Sequence, residues 1–267
     1  MSSNKILILF YCLLGCLPLS QAQSDAEKEN LKGAVKEVVE YIVVEGESKK
    51  LNRKAFFSTK GAIKEEQTYH PEGNRRHVYN YDKDGRLASK QIFDPMNALL
   101  EQWDWKYNSK GQSTGRSSQT KTEKGMQLAR IFECKYNGKG ELESEVEMDS
   151  KKNTIGTFKF EYNENGTLKT LTVVVGRVDF FYNDKKQLIE TKFYTEDGEY
   201  NAQKTFAYDE QGNQSEYAEL QVGEEKPYSV EKDVYEYDSQ NNWISRTTTY
   251  LNGKTRVMSR TIEYYEQ

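Results

Sequence analysis

Tyr79-Asn80-Tyr81-Asp82-Lys83-Asp84-Gly85-Arg86-Leu87 is the stretch that decides how this chain folds. Its two aromatics stand two residues apart, so on an extended strand they share one face. Asp82 follows, then two polar residues, then Gly85. An Asn or Asp at the first position of a type I turn bonds the backbone ahead of it, and the glycine takes the left-handed residue of a G1 bulge. Leu87 restarts the apolar alternation. The stretch therefore reads as strand end, tight turn, strand start.

The pattern returns along the chain. Trp105-Lys106-Tyr107-Asn108-Ser109-Lys110-Gly111, Cys134-Lys135-Tyr136-Asn137-Gly138-Lys139-Gly140 and Phe160-Glu161-Tyr162-Asn163-Glu164-Asn165-Gly166 are three copies. Phe180-Phe181-Tyr182-Asn183, Phe206-Ala207-Tyr208-Asp209-Glu210-Gln211-Gly212 and Tyr235-Glu236-Tyr237-Asp238 are three more. The second aromatic falls at 81, 107, 136, 162, 182, 208 and 237. Spacings near 26 residues suit two strands of roughly eight residues and two short turns. A second turn is visible midway in several copies, as at Asp94-Pro95-Met96-Asn97 and Glu196-Asp197-Gly198, and looks trimmed around Val173-Val174-Val175-Gly176. Lys186 and Asn241 replace the turn glycine, and Ser113, Gln214 and Trp243 replace the leucine. Tyr69-His70-Pro71-Glu72-Gly73 reads as a decayed earlier copy. Helix signals are sparse: one short turn after Asp25, then a Val-rich opening strand from Ala34.

The expected architecture is all-β, with tandem antiparallel hairpins forming an elongated, twisted open sheet or β-solenoid from about residue 30 to the end. Two strands per repeat give roughly 16 strands, and an open sheet of more than about ten must curl or split. Tyr264 and Tyr265 read as a closing edge.

The aromatic-x-Tyr-Asp/Asn-x-x-Gly segments resemble the YD-repeat, or rearrangement-hotspot (Rhs) repeat, family from Tyr79 to Asn241. Asn30-Leu31-Lys32-Gly33-Ala34-Val35-Lys36-Glu37-Val38 is similar to the opening strand of short exported members from Gram-negative, Bacteroidetes-like bacteria. The resemblance implies a meandering antiparallel sheet to which each repeat adds a hairpin. Nothing here is similar to the protease core or toxic cargo of the large members.

The first 22 residues read as a signal peptide. Lys5 precedes a largely apolar run over 6–19, shorter than the about 20 residues that span a bilayer, and Ser20-Gln21-Ala22 offers small residues for cleavage. Residues 23–29 form a short linker and 30–267 the repeat domain. Leu13-Leu14-Gly15-Cys16 loosely resembles a lipobox, which would make Cys16 a lipid anchor. Cleavage leaves Cys134 as the one cysteine, so no intrachain disulfide forms. It stands where other copies carry an aromatic, the place of an apolar filler.

The whole chain carries a net charge of −4, with 30% charged residues. That disfavours nucleic acid and anionic membrane as partners, since both need a cationic face. The 19 tyrosines and 11 phenylalanines argue against disorder. Catalytic chemistry has little to work with. His70 and His77 lack thiolates or a clear carboxylate partner for a metal. No G-x-S-x-G elbow or phosphate loop exists. Turn carboxylates such as Asp82, Asp209 and Asp238 already have a local bonding role. No cofactor and no catalytic residue is therefore assigned.

The repeat-structural set is Tyr81, Asp82, Gly85, Tyr107, Asn108, Gly111, Tyr136, Asn137, Gly140, Tyr162, Asn163, Gly166, Tyr182, Asn183, Tyr208, Asp209, Gly212, Tyr237 and Asp238. Repeated aromatics at one register mostly pack across strands. The tryptophans break the pattern and are the binding candidates: Trp103, Trp105 and Tyr107 share one strand face, and Trp243 stands in a leucine position. The expected function is an exported, non-catalytic binding or scaffold module for a glycan or an envelope protein, in the periplasm, at the outer-membrane surface or outside the cell. A toxin-shell-related partner, chaperone or immunity component is the second expectation, and a glycan-active enzyme the third.

Overall fold

The computed structural model describes residues 24–44 and 46–266. The signal-peptide reading, with Cys16, falls outside them. A four-residue helix, α1 (Asp25–Lys28), precedes eighteen strands. They are β1 (Val35–Val44), β2 (Lys50–Phe57), β3 (Ile63–Thr68), β4 (Arg75–Tyr81), β5 (Leu87–Phe93) and β6 (Leu99–Tyr107). Next come β7 (Ser113–Thr122), β8 (Gly125–Tyr136), β9 (Leu142–Asp149), β10 (Thr154–Tyr162), β11 (Leu168–Val173) and β12 (Gly176–Tyr182). The last are β13 (Leu188–Tyr194), β14 (Tyr200–Tyr208), β15 (Gln214–Gln221), β16 (Ser229–Tyr237), β17 (Trp243–Tyr250) and β18 (Thr255–Tyr264).

The corners form as their chemistry requires. In the first quoted motif Gly85 N–H donates to the Asp82 carbonyl (3.0 Å) and Asp82 N–H to the Arg86 carbonyl (2.8 Å), with Gly85 at φ +78°. Asp82 Oδ1 accepts the backbone N–H of Asp84 and of Arg86, both at 2.9 Å. Lys186 and Asn241 take the same left-handed conformation at φ +60° and +61°. All these corners lie at one end of the sheet, the repeat end.

The open-sheet and solenoid expectation is corrected here. β1 pairs with β2 on one side and with β18 on the other, so the eighteen strands close into an antiparallel barrel. Tyr264 is no edge: it pairs with Val35, and Tyr265 N–H donates to the Ala34 carbonyl at 2.8 Å. Closure removes both edges, the positions where unpaired backbone would recruit other chains. β18 and β1 together make a repeat whose turn is missing: β18 supplies the aromatic end and β1, after Gly33, the returning strand.

Another copy escapes the Asn/Asp pattern. Phe57-Ser58-Thr59-Lys60-Gly61-Ala62-Ile63 makes the same corner, with Gly61 N–H on the Ser58 carbonyl (2.9 Å) and Ala62 N–H on Ser58 Oγ (3.1 Å). The stretch at Tyr69, read as a decayed copy, is instead a corner of the opposite end, between β3 and β4.

The interval before β1 is not a plain linker. Ser24 and Glu27 form a reciprocal capping box on α1. Ala26 N–H donates to the Gly61 carbonyl at 2.9 Å. Ala26 and Leu31 are buried with Val35, Val38, Ala55, Phe57 and Ile63. A second core joins Leu142, Phe158, Phe160, Leu168, Leu171, Val178, Phe180 and Phe193. Both cores lie on the aromatic face of the strands.

Candidate binding lumen

Directly paired residues of antiparallel strands point to the same side, so the register sorts the side chains into two faces. One face carries the motif aromatics and the residues of lowest exposure, among them Val38 at 0% and Glu145 at 1%. The other carries Val234, 70% exposed in the middle of a strand. Side chains converge on the concave side of a closed sheet and splay on the convex side. The aromatic face is therefore the lumen wall. A barrel of this many strands is wide enough to enclose an interior space, here filled in part by the two cores. The half-buried state of Trp103, Trp105, Tyr107 and Trp243 matches a wall that lines such a space.

Trp103, Trp105 and Tyr107 follow one another down β6 on this wall. Trp103 pairs with Lys90 on β5 and Ser118 on β7, and Trp105 pairs with Arg116. The two indoles lie 6.2 Å apart, and Trp103 lies 5.8 Å from Phe132. The Arg116 guanidinium stacks on Phe132 at 3.9 Å and lies 5.8 Å from Trp103. Arg116 grips Glu145 with two bonds, 2.6 and 3.2 Å. This pair holds a planar cation against aromatic rings, a fork geometry that lysine cannot supply. Lys90 lies 5.1 Å from the Tyr79 ring centre. Burial pulls its pKa down, against the opposing pull of Glu66 and Glu101.

Trp243 belongs to a different patch. It lies on β17, seven strands from β6 by the shorter way round through β1. Arg260 covers its ring at 3.7 Å, and Tyr235 stands 6.2 Å away. The four binding candidates thus divide into a trio and a distant single residue.

Cys134 is on the lumen wall beside Glu145, at 3.6 Å. Burial, then the Glu145 charge, pushes its thiol up to about 12, so it is a neutral thiol. His77 faces Glu66 and Ile92 from β4. Burial, then Lys90, lowers its pKa to about 4, and its Nδ1 is buried without a partner. His70 sits in the β3–β4 corner, where its carbonyl accepts from Gly73 N–H. Among the described residues no group of three or more His, Cys, Asp or Glu is arranged to hold a metal.

The repeat-end mouth is crossed by residues 24–34. Asp25 Oδ2 accepts from the Tyr81 hydroxyl (2.7 Å) and from Ile63 N–H (3.0 Å). Glu29 takes two bonds from Arg53 of the lumen wall, 2.6 and 3.0 Å. Asn30 Nδ2 bonds Asn213 Oδ1 (2.9 Å) and Lys32 N–H bonds Asn242 Oδ1 (2.7 Å). Burial and Glu29 act oppositely on Arg53, and the carboxylates win: its pKa is raised. This strap was not legible as such, because no local signal marks its partners: Arg53, Ile63 and Tyr81 lie on other strands, and Asn213 and Asn242 are more than 180 residues away in sequence.

The convex face is built for water. Lys54, Glu65, Asp104, Glu133, Lys159 and Glu216 all pair on that side. In a lipid-facing belt the two lysines would each cost about 2–4 kcal/mol at the bilayer centre, and the carboxylates would add a smaller cost. No helix of the described residues is long and apolar enough to cross a membrane.

No protein-family model matches the sequence, and no curated protein does. Among solved structures the chain is similar to a porin-like protein from Bacteroides uniformis ATCC 8492, with 13% identity over 87% of this chain and 99% of that one, at a TM-score of 0.47. A porin-like protein from Bacteroides vulgatus ATCC 8482 gives 10% identity over the same shares, at a TM-score of 0.32. A putative outer membrane lipoprotein-sorting protein domain from Vibrio parahaemolyticus gives 10% identity over 90% of each chain, at a TM-score of 0.24.

Proposed function

We propose that this chain is an exported, non-catalytic binding barrel of the cell envelope whose lumen holds a glycan segment. One observation carries the reading: Trp103, Trp105 and Tyr107 line the concave wall in a row, backed by Arg116 stacked on Phe132. Aromatic rings stack on the C–H faces of sugar rings, while half-buried Lys90 and Glu101 on the same wall offer groups for hydroxyls. The charged convex face supports a place in the periplasm or at the membrane surface, with the barrel standing in water. The recurring Tyr-Asn/Asp corner supports kinship with the YD-repeat proteins. An envelope protein is the alternative occupant.

All three tryptophans face the lumen, so their fluorescence reports its occupancy. Titration of the purified protein with neutral and acidic oligosaccharides is expected to shift the emission. Trp103→Ala is expected to weaken that binding at least about tenfold, the loss of one good stacking contact. Fluorescence indifferent to every oligosaccharide would remove the glycan from the lumen.

A further inference from the structure

The second aromatic of the motif normally closes a gap between repeats. Hydrogen bonding between adjacent repeats stops a few residues short of the corners, and a tyrosine hydroxyl then bridges to the neighbour. Tyr81 bonds the Ile63 carbonyl (2.8 Å), Tyr107 that of Leu87 (2.9 Å), Tyr136 that of Ser113 (3.0 Å) and Tyr208 that of Leu188 (2.8 Å). Between β11 and β12 the ladder ends at Thr170–Asp179. Tyr182 is the counterpart tyrosine there, and its hydroxyl has no partner among the described residues. A cleft of about 580 Å³ opens at that place, lined by Asn163, Lys169, Asp179, Phe181 and Tyr182 among others.

Two sequence departures converge on this cleft. The residue between the two aromatics is Asn80, Lys106, Lys135, Glu161, Ala207 or Glu236 in the other copies read from the sequence, and it points outward. Here it is Phe181, which pairs with Glu190 on the convex side and is 40% exposed. Lys186 stands where a glycine would adopt φ +60° without steric cost. Its ammonium reaches across the cleft to the Asn165 carbonyl at 3.1 Å.

We infer that this cleft is a second binding site, on the outer wall, for a single short saccharide. The volume falls in the range of small-ligand sites. The lining combines one exposed aromatic ring with an amide, a carboxylate and an ammonium. A sugar presents the matching surfaces: a C–H face for Phe181 and hydroxyls for Asn163, Asp179 and Lys169. Asp179 is held by the Thr170 hydroxyl (3.0 Å) and Asn163 Nδ2 donates to Thr167 Oγ1 (2.9 Å), so both are fixed in place with acceptor capacity left for sugar hydroxyls. The site is independent of what the lumen holds.

The test uses the intact protein and a panel of neutral and acidic tri- to hexasaccharides, followed by calorimetry and by tryptophan emission together. Cleft binding produces heat without an emission change, because the tryptophans face the lumen. Phe181→Ala is expected to weaken this fluorescence-silent binding at least about tenfold, with Phe181→Tyr restoring it. Its melting temperature should stay near that of the parent, since the ring is on the convex face. Absence of any silent binding, or silent binding that Phe181→Ala leaves unchanged, overturns the inference.

Discussion

The hydroxyl of Tyr107 donates a 2.9 Å hydrogen bond to the backbone carbonyl of Leu87, one repeat earlier in the chain. That bond explains why the second motif aromatic is tyrosine and not phenylalanine. Tyr162 occupies the same place in its own repeat, yet its hydroxyl is buried without a partner. Removing the first hydroxyl leaves a carbonyl unpaired, at a cost of about 1–2 kcal/mol; removing the second relieves an unsatisfied group. Tyr107→Phe is therefore expected to lower the denaturant midpoint, and Tyr162→Phe to leave it unchanged or raise it. Equal losses in both would mean that ring packing alone sets the role of these tyrosines.

The corners were legible because their chemistry is local. Asp82, Gly85 and Arg86 satisfy one another's backbone within five residues, and the same holds for Asp238, Asn241 and Asn242. The short helix at Asp25 and the opening strand are also as the sequence implies. Closure was not legible, because the pairing of Val35 with Tyr264 joins opposite ends of the chain and no repeat spacing encodes it. The strand number was short by two for a related reason. The Ser58 corner hides behind a serine and the split repeat at β18 and β1 has no corner at all, while the Tyr69 stretch, read as a copy, is not one. The tryptophans stood out in the sequence as irregularities, but sequence could not place Trp243 on a different arc from Trp103. Phe181 was passed over because it looked like one more aromatic in an aromatic-rich repeat. Only its alternation to the convex side sets it apart.

His77 gives the pH dependence a definite sign. Its folded pKa is lowered, chiefly by burial, from the ordinary 6.5 to about 4. Between those values the unfolded chain binds a proton that the folded barrel refuses, so stability falls as pH drops through this window. Above 6.5 both states are neutral and the effect vanishes. Glu66 opposes it in part, since its charge favours the imidazolium. The expected outcome is a melting temperature that declines from pH 6.5 to 4, with a shallower decline in His77→Asn. Parallel curves for the two proteins would show that His77 is not the responsible group.

Closure through β1 and β18 makes the covalent position of the chain ends incidental to the barrel. Tyr265 reaches the Phe57 carbonyl with its hydroxyl at 2.6 Å, and Ser24 Oγ lies against Gly61 of the following corner. A flexible linker of roughly six Gly/Ser residues spans such a gap at little entropic cost. New ends can then open in the β7–β8 turn at Glu123-Lys124, which is exposed and whose flanking pair Thr122–Gly125 remains intact. This circular permutant is expected to fold with the same β-rich circular dichroism and a single cooperative melt. Deleting β18 instead frees both β1 and β17 as long unpaired edges and should give aggregation in place of a barrel. A permutant that fails to fold while the β18 deletion stays soluble and monomeric would mean that the β1–β18 seam does not hold the barrel shut.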